Sequence, residues 1–333
     1  MSTEDRKSDH LTLANQSQTE ATTADSRFYY EPMLGVHPSS DDRWPVDVGD
    51  KTLDYPIWIS SMTGGTGAAG PINKNLAAVC KSYGLGMGLG SCRILMDSDE
   101  HLSDFNCREI IGPDLPLYAN LGIAQLETIV RDSRWSDLER LIVMLRADGL
   151  IIHVNPLQEW FQEEGDRISI APIELVRRLL DWASFPVMVK EVGQGMGPES
   201  LRALLDLPLE SVEFGAYGGT NFSKLEALRR SSRIPTDQFD LIKVGHTAAE
   251  MMQYVRDIHA SGAVNIKSVI ASGGVQGFMD GYHLIHGCPI PAMYGQASMM
   301  LRYAAESYEA LDEYVAGQIQ GLLLAKNLLR SRT

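Results

Sequence analysis

The chain has 333 residues, a length that allows one large α/β barrel or two ordinary domains. Its composition, with 44% apolar and 22% charged residues, is that of a globular protein with a sizeable core, and it excludes disorder of the whole chain. The 43 acidic and 29 basic side chains give a net charge of −14, which argues against broad binding to nucleic acid or to anionic membranes.

Residues 1–26 are predicted to form a flexible N-terminal arm, followed by a single domain over residues 27–333. Residues 15–26 are almost all small or polar, so ordering them would bury too little apolar surface to offset the entropy lost. Arg6 and Lys7 precede this segment. These two cations could fold over a site and clamp phosphate, or they could belong to a solubilising tail.

The same N-terminal segment lacks the apolar core of a secretory signal, and the chain has no run of about eighteen apolar residues that could span a membrane. We therefore expect a cytoplasmic protein with neither a nucleic-acid nor a membrane partner. The four cysteines are scattered without a Cys-x-x-Cys pair, which predicts reduced, structural thiols.

Eight short apolar runs follow the arm, separated by helix-like stretches at intervals of roughly thirty residues. The runs are residues 57–61, 85–90, 117–121, 149–155, 187–193, 211–219, 268–274 and 291–297. Amphipathic stretches between them include residues 137–147, 172–183 and 248–260, and residues 298–330 are predicted to form one or two closing helices. The pattern predicts an α/β fold, the TIM (β/α)8 barrel. A doubly wound sheet is the main alternative, but no strand is followed by a Gly-x-Gly-x-x-Gly segment that opens a helix and has its acidic partner about twenty residues further on.

Polar side chains at strand ends carry the chemistry of such barrels. The first strand runs into SMTGGTG at 61–67, where backbone amides could approach a flat or anionic ligand, or where the chain could simply turn tightly. Ser91 and Arg93 follow the second strand, and Asn120 lies at the end of the third. Each of these signals is weak alone.

The fourth strand end carries the densest polar cluster, in the segment HVNPLQE. Strand alternation places His153 and Asn155 on one face, and Pro156 then turns Gln158 and Glu159 above them. Glu159 offers the kind of oxygen ligand that Mg²⁺ prefers when it bridges to substrate phosphates. An ordinary polar loop is the alternative interpretation.

Lys190 lies at the fifth strand end, and alternation places it and Glu191 on opposite faces, so that one of them faces the pocket. A lysine in the barrel could neutralise a reduced flavin ring, or it could form a structural ion pair. Glycine-rich segments at 215–222 and 271–277, with YGQA at 294–297, predict a phosphate site formed by backbone amides and a helix N-terminus. This site indicates a phosphorylated cofactor or substrate.

These residues resemble one family along nearly the whole chain: type 2 isopentenyl diphosphate isomerase, an FMN-dependent barrel enzyme of isoprenoid synthesis. The shared segments are RKSDHLTLA (6–14), SMTGG (61–65), MGLGSCR (87–93), YANLG (118–122), HVNPLQEWFQEEGDR (153–167), VKEVGQG (189–195), GGTNF (218–222), IASGGV (270–275) and YGQA (294–297). The most specific segment is HVNPLQE followed by EGDR. The chain departs from the family pattern in two places. Cys92 stands where many relatives have Gln. Around residue 245, many relatives have Gly-x-Pro-Thr, whereas this chain has Gly245, His246 and Thr247.

The resemblance implies a residue-by-residue site. FMN would contact Met62, Thr63, Gly64, Ser91, Asn120, Lys190 and Thr220, with its phosphate near Gly273, Gly274, Gln296 and Ala297. Isopentenyl diphosphate would be surrounded by Arg6, Lys7, Ser91, Arg93, His153, Asn155 and Gln158, with Mg²⁺ held through Glu159. Gln158 and His153 are the predicted catalytic residues, and Gln158 would lie near the hydrocarbon end of the substrate.

The implied reaction is the isomerisation of isopentenyl to dimethylallyl diphosphate. It would require reduced FMN, with NADPH as the reductant. The resemblance also implies a homo-oligomer, a tetramer or octamer. One rival is an FMN-dependent oxidoreductase of the 2-hydroxy-acid oxidase type on the same barrel. Its histidine base could be His246, but no arginine lies within nine residues after it. The other rival is a non-catalytic protein that binds flavin or prenyl phosphate.

Overall fold

A closed barrel of eight parallel strands forms the centre of the protein. The computed structural model describes residues 3–61, 64–65, 67–230 and 236–332. The barrel strands, which neighbour one another in chain order, are Ile57–Ile59, Gly86–Gly88, Leu117–Gly122, Gly149–Val154, Val187–Glu191, Ser211–Glu213, Ser268–Ser272 and Ala292–Gln296. Each strand overlaps the apolar run that predicts it. The (β/α)8 barrel is therefore confirmed.

Helices surround the barrel and connect its strands. The α-helices are Thr3–Leu13, Ala69–Tyr83, Leu102–Phe105, Arg108–Ile111, Ile123–Arg131, Trp135–Leu145, Pro156–Phe161, Pro172–Trp182, Pro198–Leu205, Phe222–Arg229, Ala248–Ser261, Phe278–Ile285, Ser298–Glu306 and Tyr308–Leu328. Short 3₁₀ helices span Ala21–Thr23, Arg93–Met96 and Thr236–Lys243. The last two α-helices are the closing helices that the sequence predicts.

Local sequence signals explain where several of these helices begin and end. Proline begins three of them, where its missing N–H costs no intrahelical hydrogen bond. Thr247 and Glu250 form a capping box at the start of Ala248–Ser261, with side chain and backbone bonded in both directions. Gly84 ends the helix Ala69–Tyr83 in the left-handed conformation, at φ 63°.

A β-hairpin closes the amino-terminal end of the barrel. Its strands, Val46–Val48 and Lys51–Leu53, pair antiparallel. Val48 and Leu53 pack against the interior side chains of the barrel strands, which are Trp58, Tyr118, Ile151, Met188, Ile270 and Met293. The Gly49 amide also donates to Glu210 Oε1 at 2.6 Å. The base of the barrel is therefore filled with apolar side chains, and polar chemistry is left to the opposite end.

The two terminal segments of the barrel domain meet in a small sheet. The strand Phe28–Tyr30 pairs antiparallel with Leu329–Ser331, and Arg27 forms an ion pair with Asp280 at 2.7 Å. Before this point, the described side chains of residues 3–26 are all exposed, including those of the helix Thr3–Leu13. Within the described residues, no helix combines the length and apolar character needed to cross a bilayer.

Candidate active site

Three ionisable side chains form one row across neighbouring strands near the carboxyl end of the barrel. The strand register pairs His153 with Lys190, and Lys190 with Glu213. Residues paired in register share a face of the sheet, and this face is the barrel interior, because Met188, two residues before Lys190, lies in the interior cluster. Lys190 is thus the residue of its pair that faces the pocket.

Glu191 faces outward and shapes the following loop. Its Oε2 atom accepts hydrogen bonds from the backbone amides of Gly193, Gln194 and Gly195, at 2.7, 2.7 and 2.8 Å. Burial raises the pKa of the Glu191 carboxyl, against the opposing effect of these three donors. Glu191 therefore holds the loop backbone in place, while the Lys190 ammonium faces the pocket and donates to the Glu191 carbonyl at 3.0 Å.

His153 is held in one tautomer by the end of the third strand. Its Nδ1 lies 2.8 Å from Asn120 Oδ1, while the Asn120 amide nitrogen donates to the Leu89 carbonyl at 3.1 Å. Because Oδ1 can only accept, Nδ1 carries the hydrogen and Nε2 presents a lone pair. Burial, and secondarily the charge of Lys190, lower the pKa of His153 to about 4. The ring is therefore neutral at neutral pH.

This neutral histidine predicts a dependence of stability on pH. The folded pKa, about 4, lies below the ordinary value of 6.5, so the unfolded chain binds more protons between these values. The contribution of His153 to stability is then complete above pH 6.5 and is lost as the pH falls toward 4. Between neutrality and about pH 4.5, we expect the parent to lose ~1–2 kcal/mol more than His153→Asn, after allowing for the half-buried ring. Urea unfolding of both proteins measures this, and parallel losses would contradict the assignment.

The HVNPLQE segment forms a connected polar cluster. The Asn155 amide nitrogen donates to Gln158 Oε1 at 3.2 Å and to Glu159 Oε1 at 3.0 Å. The short helix Pro156–Phe161 brings these side chains over the end of the fourth strand. Asn155 and Glu159 are buried, and Gln158 is half-buried. The predicted convergence of Asn155, Gln158 and Glu159 is therefore seen in the structure.

Asp166 links this cluster to Arg93. Its backbone amide donates to Glu159 Oε2 at 2.8 Å, and its carboxylate lies 3.1 Å from the Arg93 guanidinium. Gln125 donates to the same carboxylate oxygen at 3.2 Å. Asp166 lies in the EGDR segment but is not among the site residues predicted from the sequence. Its two contacts place Arg93 and Glu159 at one side of the barrel mouth.

A second polar region lies at the ends of the last strands, where their residues line a cleft. Its lining includes the predicted residues Lys190, Thr220, Gly273, Gly274, Gln296 and Ala297. Gly273 and Gly274 have φ of 92° and 74°, and a Cβ on Gly219 would lie 2.9 Å from the Gly274 amide nitrogen. Glycine is therefore required where two backbone segments meet. The helix Ser298–Glu306 starts at this cleft without a side-chain cap, so its first amides are available to an anion.

The floor of this cleft holds polar atoms without hydrogen bonds. The hydroxyls of Ser60 and Ser61 and both carboxylate oxygens of Glu213 are buried and have no hydrogen-bond partner among the described residues. Buried polar atoms are normally paired, so these atoms fit a site built for a polar ligand. Glu213 is not among the site residues predicted from the sequence. The sequence feature that could have identified Glu213 is a charged residue inside the apolar run SVEFG. Lys190 is likewise a charged residue inside the apolar run of the neighbouring strand.

The remaining predicted residues have varied positions. Ser91 is exposed, and a Cβ on Gly64 would lie 3.3 Å from its carbonyl. Met62 and Thr63 lie outside the described residues. Arg6 and Lys7 lie on the exposed helix Thr3–Leu13, and no hydrogen bond or ion pair joins either of them to a described site residue. Their roles stay predictions.

Two departures from the family pattern lie away from the cleft. The Cys92 thiol is buried and donates to the Gly90 carbonyl, and burial raises its pKa to about 12. His246 lines a separate, mostly apolar cavity outside the strands, together with Val189 and Glu191. The base required by the oxidase alternative is therefore not in the cleft that contains Lys190.

Comparison with known proteins adds the family. No protein-family model matches the chain. The isopentenyl-diphosphate delta-isomerase of Rickettsia felis is 33% identical over 336 residues, which cover 99% of this chain and 93% of that protein. The Rickettsia akari protein of the same name is 32% identical and covers 98% and 94%.

Solved structures show the fold. The flavin-binding domain of baker's yeast flavocytochrome b2 matches with a TM-score of 0.61 at 10% identity, over 91% of this chain and 72% of that one. At this identity the likeness concerns the barrel alone. The identity and coverage of the Rickettsia relatives show that the chain belongs to the isopentenyl-diphosphate delta-isomerase family.

Proposed function

We propose that the protein interconverts isopentenyl and dimethylallyl diphosphate in isoprenoid biosynthesis, using reduced FMN and Mg²⁺. The observation that carries this proposal is the position of the Asn155, Gln158 and Glu159 cluster, which lies one strand from Lys190 and the glycine-lined cleft beside it. A diphosphate and a phosphorylated cofactor could thus be held at the same barrel mouth. The family membership of the chain supports this substrate and this reaction.

The cleft fits FMN by its chemistry. The glycines at 273 and 274 and the start of the helix Ser298–Glu306 would hold the phosphate, while Lys190 and the unpaired serine hydroxyls would face the ring. The other proposed contacts to FMN come from Met62, Thr63, Gly64, Ser91, Asn120 and Thr220. When bound, reduced FMN supplies an electron-rich surface and a group that exchanges protons near N5. NADPH is the proposed reductant.

Glu159 is the proposed protein ligand of Mg²⁺. The described residues contain no cluster of three or more His, Cys, Asp or Glu side chains that could hold a metal, so the ion would depend on one carboxylate with diphosphate oxygens and water. Asn155 and the Asp166 amide fix the two oxygens of this carboxylate in direction. Such a site forms fully only when the substrate supplies its oxygens.

The isomerisation adds a proton at the terminal methylene carbon of isopentenyl diphosphate and removes one from C2, so it involves no net oxidation. The chain's own residues would orient the substrate for these transfers. Arg93, His153, Asn155 and the N-terminal cations would bind the diphosphate, and Gln158 would lie against the hydrocarbon end. Burial of the site would exclude water from the reacting carbons.

Glu159→Gln should raise the Mg²⁺ concentration that gives half-maximal activity by at least tenfold. The substitution removes the negative charge of an oxygen ligand at nearly the same volume. Titration of activity with Mg²⁺ measures this, and Glu174→Gln is the matched control because Glu174 is exposed on the outer helix Pro172–Trp182. Binding of FMN should stay unchanged. An unchanged Mg²⁺ titration would remove Glu159 from the metal site.

One experiment tests the function directly. The purified protein is incubated anaerobically with reduced FMN, Mg²⁺ and isopentenyl diphosphate, and the products are separated. We expect dimethylallyl diphosphate to form, and its formation to stop when either FMN or Mg²⁺ is left out. The absence of any product with all components present would overturn the proposal.

We also propose that the protein is cytoplasmic and forms a homo-oligomer, a tetramer or octamer. A mass measurement in solution tests the number of subunits.

A further inference from the structure

Glu213 is a buried carboxylate whose position is not explained by the fold. Its side chain is 1% exposed, and neither of its oxygens accepts a hydrogen bond from a described residue. The nearest opposite charge is the Lys190 ammonium, 3.7 Å from Oε1. A carboxylate that is buried without hydrogen bonds destabilises a protein, so this arrangement indicates a functional requirement.

The groups around this pair face the same cleft. Lys190 and Glu213 both line it, together with Ser60 and Ser61, whose hydroxyls are also unpaired. On the other side of Lys190 lies His153, which is neutral, and Glu191 faces outward onto its own loop. Among these neighbours, Glu213 is therefore the negative charge that faces Lys190 inside the barrel.

We propose that Glu213 is a positioning residue that balances the charge of Lys190 beneath the flavin, and so sets how much more tightly the protein binds reduced than oxidised FMN. This inference rests on the proposed binding of FMN. It concerns a residue outside the segments shared with the family, and it gives the buried ion pair a role that can be measured without turnover.

The direction of the effect follows from charge. The oxidised ring is neutral, whereas the reduced ring can lose a proton and carry a negative charge. Lys190 alone would favour the reduced anion strongly, since charge interactions are weakly screened in a buried site. Glu213 opposes this preference, because its own negative charge lies 3.7 Å from the ammonium. Removal of Glu213 should therefore shift affinity toward reduced FMN, and removal of Lys190 should shift it the other way.

The test compares the dissociation constants of oxidised and reduced FMN for the full-length parent, Glu213→Gln, Lys190→Met and the double variant. We expect the ratio of the oxidised to the reduced constant to rise at least tenfold in Glu213→Gln and to fall at least tenfold in Lys190→Met. For the two-electron couple, a tenfold change corresponds to about 30 mV in the potential of the bound flavin. In the double variant, the ratio should lie between those of the two single variants.

Glu210→Gln is the matched control. Glu210 is equally buried and lies one residue before the same strand, but at the base of the barrel, where Gly49 and Lys267 bind its oxygens. We expect its ratio to equal that of the parent.

Several outcomes would overturn the inference. An unchanged ratio in Glu213→Gln, or equal loss of affinity for both forms, would make Glu213 a structural residue. If Glu213→Gln does not fold, the double variant decides: a ratio equal to that of Lys190→Met would show that Glu213 has no influence on the flavin. A parent that binds neither form of FMN would overturn the proposed function itself, which is a separate result from an unchanged ratio in a parent that binds both.

Discussion

Gln158→Asn is expected to lower the turnover of isopentenyl diphosphate by roughly a hundredfold. The Gln158 amide lies at the start of the short helix after the fourth strand, where Asn155 donates to its oxygen at 3.2 Å. Asparagine keeps the amide but withdraws it by one methylene, and a displacement of about 1 Å at a reacting centre has an effect of this size. Steady-state kinetics at saturating Mg²⁺ measure it.

The controls for this variant separate catalysis from binding. FMN affinity, the Mg²⁺ titration and the thermal midpoint should all stay close to those of the parent. Gln253→Asn makes the same chemical change at an exposed position on the outer helix Ala248–Ser261 and should leave turnover unchanged. Normal turnover of Gln158→Asn would show that the proton transfers occur elsewhere in the pocket.

Deletion of residues 1–14 should leave a folded protein that binds FMN but has lost more than a hundredfold in affinity for the diphosphate. The barrel strands begin at Ile57, and the described side chains of the deleted segment are exposed. Arg6 and Lys7 would each contribute a charge-assisted contact of about 1.5 to 3 kcal/mol, and 1.4 kcal/mol corresponds to about a tenfold change. Calorimetric titration with isopentenyl diphosphate measures the loss.

The double substitution Arg6→Gln and Lys7→Gln tests charge separately from chain length. It should reproduce most of the loss seen in the deletion, because the proposed contacts come from the two cations. Parent-like affinity in both proteins would make residues 1–14 a solubilising tail. Loss in the deletion alone would show that the segment acts by covering the site.

The barrel was predictable because each of its strands is a compact apolar run and several of these runs end in glycine, asparagine, serine or a charged residue. Parallel strands bring their carboxyl ends to one rim, so the HVNPLQE segment and the glycine-rich segments could be placed together before their contacts were known. Alternation also predicted that Lys190 and Glu191 would face opposite ways. These arguments use only the order of residues within each strand and the shared direction of parallel strands.

The contacts that the sequence could not predict are set by the register between strands and by the paths of loops. The row of His153, Lys190 and Glu213 exists because of the register of three strands that lie far apart in the chain. Asp166 contacts Arg93 through a loop whose path has no periodic pattern. The helix Thr3–Leu13 has exposed side chains all round, so no apolar stripe predicted it.

The hairpin at the base of the barrel determines from which end the substrate and the reductant reach the site. Within the part of the chain that the structure describes, Val48 and Leu53 fill the amino-terminal end together with the interior side chains, so a ligand approaches the central site from the carboxyl-terminal mouth. A prenyl diphosphate and a nicotinamide reductant would then enter the site through the same opening. While the substrate occupies it, the cofactor behind it would be shielded from its electron donor, so saturating substrate should slow the reduction of bound flavin.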